Sequence, residues 1–201
     1  HTWSFGVGEC DFLLIKTDPQ GNVEWKNTYG GSGTEQLYQV IATSDGGYAL
    51  AGYTFSYAAG KADFWLVKTD ASGEMEWSQV YGGEKYEIPY SVVATSDGGY
   101  ALAGFTASFG AGRGDFWLVK TDSSGKMEWS QSYGGNRNDW ASSLLATPDG
   151  GYAIAGETDS FSDGGFDVWL IKTDAYGNME WSQVYERTIN HDFIVLMRYC
   201  T

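Results

Sequence analysis

The chain has 201 residues and carries 26 Asp and Glu against 12 Lys and Arg, a formal net charge of −14. That balance argues against nucleic acid and anionic membrane as principal partners, since both repel an acidic surface. The longest apolar run, Phe193 to Met197, is too short for a bilayer span, and a 16% aromatic content is foreign to disordered chains.

The chain starts at His1 rather than Met, which fits a processed secretory protein or a fragment. From Asp11 onward the sequence repeats. Asp11-Phe-Leu-Leu-Ile-Lys-Thr-Asp18 returns as Asp63-Phe-Trp-Leu-Val-Lys-Thr-Asp70 and again from Asp115 and Asp167, at intervals of 63−11, 115−63 and 167−115, each 52 residues. Trp25, Trp77, Trp129 and Trp181 keep the interval, as do Tyr29, Tyr81, Tyr133 and Tyr185. Residues 63–114 and 115–166 are identical at 32 of 52 positions, without insertion. Such a fixed period marks one structural unit used repeatedly.

One period predicts four short strands. Ser91–Thr95 is the first, Gly99–Thr106 the second, Asp115–Thr121 the third and Met127–Tyr133 the fourth. Each is rich in aromatic and β-branched residues and bounded by Gly and Asp. Asp-Gly-Gly at residues 45, 97 and 149 predicts a tight hairpin with a primed turn. Asp18-Pro-Gln-Gly21 and its copies predict a type I turn capped by the Asp carboxylate, with Gly in the left-handed site. Phe64, Trp65, Leu66 and Val67 are apolar in succession, so the third strand is covered on both faces. Four-stranded antiparallel units covered on both faces predict an all-β fold, the β-propeller.

The pattern Ser/Thr-x-Asp-Gly-Gly-Tyr-x-Leu-Ala-Gly, then Asp-x-Trp-Leu-Val-Lys-Thr-Asp, then Trp and Tyr-Gly-Gly, resembles the β-propeller repeats of archaeal and bacterial surface or secreted proteins. The resemblance covers roughly residues 1–185. It implies a propeller and export, and it brings no established catalytic residues.

The ends bear on closure. Thr2 and Ser4 align with the end of a second strand, and the tail Phe193–Tyr199 falls where a first strand belongs. The 201 residues equal four units of 52 less seven (208 − 7), so the expectation is one domain over 1–201 with four blades of four-stranded antiparallel sheet. One blade is composite, formed from both termini, with the tail 186–201 closing the ring. A larger propeller, or two chains making eight blades, are the alternatives. If the tail is a second strand, Cys10 and Cys200 become adjacent and a disulfide latches the ring. If it is a first strand, they sit at opposite ends of a roughly 20 Å strand, beyond disulfide reach, and the open position invites a strand from another chain.

Nucleophile elbows, phosphate loops, dinucleotide fingerprints and zinc-ligand patterns are missing from the sequence. The recurring Asp11, Asp63, Asp115 and Asp167 read as turn caps paired with Lys68, Lys120 and Lys172, because a blade needs the same turn in every copy. Glu35, Glu87 and Asp139, just before each first strand, either are solvated rim acids or ring a channel mouth and hold a cation. Oxygen ligands suit Ca²⁺, the one cofactor considered. Asp159, Asp163 and Asp167 are spaced like a loose Ca²⁺ loop. The loops carrying Ser4-Phe5, Ser56-Tyr57, Ser108-Phe109 and Ser160-Phe161 present an aromatic that either covers the blade edge or stacks on a sugar. His1 and His191 form a remote candidate for Cu²⁺. The function expected is a non-catalytic secreted or cell-surface module for protein binding, adhesion or assembly, including self-association through the incomplete blade. The alternative is a carbohydrate-binding propeller using the aromatic loops. A hydrolase or lyase with a site on the propeller face ranks behind both.

Overall fold

Strands account for the regular structure. The computed structural model describes residues 8–186, which contain fourteen strands and no helix. Strands β1 (Phe12–Thr17) and β2 (Val23–Tyr29) form a two-stranded sheet. The next twelve fall into three four-stranded meanders, each in simple sequential order. The first contains β3 (Glu35–Ala42), β4 (Tyr48–Thr54), β5 (Asp63–Thr69) and β6 (Met75–Tyr81). The second contains β7 (Glu87–Ala94), β8 (Tyr100–Thr106), β9 (Asp115–Thr121) and β10 (Met127–Tyr133). The third contains β11 (Asp139–Ala146), β12 (Tyr152–Thr158), β13 (Asp167–Thr173) and β14 (Met179–Tyr185). The described residues are thus all-β, built from repeated antiparallel sheets. Two compact units divide between Pro89 and Tyr90.

The sequence pattern explains each layer. Every residue of β5 and β9 is buried, as continuous apolar strands require, whereas β6, β10 and β14 are largely exposed outer strands. In the N-terminal unit, Phe12, Leu14, Leu50, Trp65 and Val67 form a core in which the Phe12 and Trp65 rings lie 4.7 Å apart. In the C-terminal unit, Phe116 meets Trp169 at 4.9 Å within a core that also holds Leu118, Leu144, Ile154 and Ile171. Within each unit the Phe of one third strand thus packs on the Trp of the next.

The hairpins differ from the two-residue primed turn expected of Asp-Gly. The Gly46 N–H bonds the Thr43 carbonyl and the Thr43 N–H bonds the Gly47 carbonyl, which encloses three residues. Gly46 takes the left-handed conformation (φ 87°) that closes such a loop. Asp45 serves instead as an acceptor for the Gly47 N–H at 3.0 Å. The Asp18 and Asp70 turns agree with expectation, each carboxylate accepting two backbone N–H groups, with Gly21 and Gly73 left-handed. The first strands also begin earlier than the sequence suggests, at Glu35, Glu87 and Asp139 themselves. Phe5, Cys200, the Cys10–Cys200 pairing, His1, His191 and ring closure by the tail lie outside the described residues.

Candidate functional site

The two ends of each sheet carry different chemistry. At one end, Lys68 is buried and reaches Asp45 at 2.8 Å, Glu76 at 2.7 Å and the Thr69 carbonyl at 2.8 Å. Lys120 and Lys172 repeat this with Asp97 and Glu128, and with Asp149 and Glu180. A shift in pairing register beside Lys68 leaves Glu76 as a bulged residue, which aims its carboxylate at the lysine. The lysines therefore do not pair with Asp63, Asp115 and Asp167. A seven-residue strand places Asp63 near one end and Lys68 near the other.

At the opposite end the recurring acids are buried. Glu35, Glu87 and Asp139 show no solvent exposure, and Asp11, Asp63 and Asp115 show 3% or less. They are not solvated rim acids. Glu35 accepts from the Thr54 hydroxyl at 2.8 Å and from the Ser56 and Gly31 N–H groups. Asp139 accepts from the Thr158 hydroxyl, from the Ser160 hydroxyl at 2.7 Å and from the Gly135 N–H at 3.0 Å. Its partner Asp115 accepts from the Gly112 N–H. Asp63 Oδ2 accepts from the Ala59 N–H at 2.7 Å, while its Oδ1 is buried without a hydrogen-bond partner and the Glu87 carboxyl lies close by. Burial pushes the Asp63 carboxyl up to about 6, with Glu87 adding to the rise. Burial raises Asp115 as well, with the Asp139 charge behind it. A glycine is required above each pair. A Cβ on Gly82 would stand 2.1 Å from Asp63 Oδ1, and one on Gly134 would stand 1.9 Å from Asp115 Oδ1.

These acids hold loops and hydroxyls rather than an open binding site. Among the described residues no three His, Cys, Asp or Glu side chains converge as metal ligands. Asp159 faces Arg137 at 3.3 Å and Asp163 is exposed, so neither gathers with Asp167. Cys10 is buried and bridges to Thr34.

The loop aromatics lie above the acids. Tyr57, Phe109 and Phe161 are each about half exposed and each rests on a buried Trp, with ring separations of 5.5 Å to Trp65, 5.1 Å to Trp117 and 4.9 Å to Trp169. Ser56 accepts from the Gly33 N–H and Ser160 from the Arg137 N–H, while Ser108 donates its backbone N–H to Thr106. Each ring is thus tilted against its Trp, with about half of the residue left open to solvent. Beside Phe161 a recess of about 580 Å³ is lined by Tyr133, Trp169, Met179, Ser182 and Gln183.

A second aromatic group escaped the sequence reading. Trp140 stacks on Phe166 at 5.1 Å and 16°, with Phe105 edge-on at 6.1 Å. A recess of about 240 Å³ beside Trp140 includes Tyr90, Ser142 and Glu157. Its only signal in the sequence is loss of repeat identity: positions 140, 157 and 166 hold Trp, Glu and Phe, where the preceding copy has Ile88, Phe105 and Gly114. No protein-family model matches the chain, and no curated protein matches it.

Proposed function

We propose that the chain is a non-catalytic binding module of a secreted or cell-surface protein, acting in adhesion or assembly, on a four-bladed β-propeller. The 52-residue period, three meanders of one design and the two-stranded β1–β2 sheet support four blades with one composite. The observation that carries the binding reading is the set of half-exposed rings at equivalent positions, Tyr57, Phe109 and Phe161, each propped against a tryptophan. Rigid, partly exposed aromatics favour binding because little side-chain entropy is lost on contact. The carboxyls of Glu35, Glu87, Asp139, Asp63 and Asp115, by contrast, are withdrawn from solvent, which disfavours a hydrolase or lyase centred on them.

Native mass spectrometry and a glycan array, run beside turnover assays on polysaccharide and peptide substrates, test this reading. Capture of a glycan or formation of a defined assembly without turnover is expected. Turnover abolished by Asp63→Asn or Asp115→Asn, with the fold retained, would overturn it.

A further inference from the structure

The recess beside Trp140 is built by departures from the repeat. The residue at the register shift of β3 is Tyr38, and its counterparts are Tyr90 and Ser142. In the first meander the Tyr38 ring packs 6.1 Å from that of Tyr53, whose hydroxyl donates to Gln36 Oε1 at 3.0 Å. That position is therefore filled. In the third meander Ser142 replaces the Tyr and Glu157 replaces Tyr53, which removes two rings and leaves the recess. Trp140 stands directly across the ladder from Glu157, so indole and carboxylate share one face of the sheet. Bulges commonly re-aim side chains next to binding sites, and Ser142 is the bulged residue here.

We propose that this recess binds a neutral pyranose unit of a glycan, with Trp140 as platform and Glu157 and Ser142 as hydroxyl partners. The inference rests on the binding-module reading and names a ligand class and a site for it. One face of Trp140 is covered by Phe166 and its flank by Phe105, while the residue remains 37% exposed. A single open face suits the flat C–H side of a sugar ring. Tyr90 also lines the recess, so tetramethylammonium is the probe for the competing aromatic-cage chemistry. The Glu157 carboxylate accepts sugar hydroxyls and repels uronic or sialic acids, as does the net charge of −14. Ser142 donates to the Ala155 carbonyl at 3.3 Å, so its lone pairs face outward as acceptors. Glu157 is the sole carboxyl among the described residues lining the recess. Glycoside hydrolysis by the usual route needs two, so binding without cleavage is assigned.

The test is calorimetry and saturation-transfer NMR with neutral saccharides chosen from an array, beside glucuronate and tetramethylammonium. The repeat supplies gentle variants: Trp140→Gln installs the residue found at Gln36, and Glu157→Tyr refills the recess as in the first meander. Millimolar binding of a neutral saccharide is expected, weakened at least tenfold by either variant and unaffected by Tyr176→Ala, at an exposed turn outside the recess. Glu157→Gln should weaken it several-fold and narrow the discrimination against glucuronate. Binding that survives Trp140→Gln, tighter binding of tetramethylammonium, or no binding by any neutral glycan overturns the site. Failure of the site without turnover leaves the binding-module reading standing, whereas turnover overturns that reading itself.

Discussion

Replacing Asp63 by Asn should change how stability depends on pH. In the wild type the carboxyl rises from its ordinary 3.8 to about 6, first through burial and then through Glu87. A raised folded-state value means that the contribution is fully present below about pH 4, is lost as pH climbs, and levels off above about 6. The full rise corresponds to about 3 kcal/mol at about 1.4 kcal/mol per pH unit, and relaxation around the pair lowers the expected loss to about 1–3 kcal/mol. The amide of Asp63→Asn retains an acceptor for the Ala59 N–H and offers Glu87 a donor without a titrating proton. Urea unfolding followed by tryptophan fluorescence between pH 4 and 7.5 gives both curves. The variant should gain on the wild type by about 1–3 kcal/mol across that interval. Parallel curves would refute a carboxyl raised by burial.

Other perturbations probe separate parts of the sheets. Gly134→Ala should destabilise by about 2 kcal/mol or more, because the new Cβ would stand 1.9 Å from Asp115 Oδ1; calorimetric melting reads the change. Phe116→Ala should cost about 3–5 kcal/mol in denaturant unfolding, since it removes a fully buried ring packed on Trp169. Lys120→Met should cost about 1–3 kcal/mol, less than a fully buried pair would, because Asp97 and Glu128 stay about half exposed and regain water. Asp97 lies at about 2: burial opposes its ionisation, but Lys120 and Thr95 outweigh it. Its stabilising effect is therefore present above about pH 4 and lost as pH falls towards 2, and Asp97→Asn should flatten that acid limb in a pH-dependent melting series.

Strand order and the bounds of the third and fourth strands were legible because burial, turn residues and period all coincide there. Asp115–Thr121 and Met127–Tyr133 stand where the sequence places them. The partners of the lysines were not legible. Asp45 and Glu76 reach Lys68 from the adjoining hairpin and the neighbouring strand, and only pairing register reveals that convergence. Nor was the burial of Glu35 and Glu87, since an acid beside a Gly-Gly turn reads as solvated until that turn's own Gly31 or Gly83 N–H folds back onto the carboxylate and, at Glu35, the Thr54 hydroxyl arrives from the next strand. The Trp140 recess was hidden for another reason. A period draws attention to what recurs, whereas Trp140, Ser142, Glu157 and Phe166 matter because they do not.

The acid that opens a first strand has a second attachment. Glu35 donates its backbone N–H to the Cys10 carbonyl at 2.6 Å, and Glu87 and Asp139 do the same with Ala62 and Gly114 at 2.6 and 2.8 Å. Each therefore joins the start of its own sheet to the entry of the preceding third strand, while its carboxyl secures the loop above. Tension pulling consecutive sheets apart would load that junction as a mechanical clasp. Loop anchoring and sheet-to-sheet attachment then meet at a single residue, so one break there would release both at once.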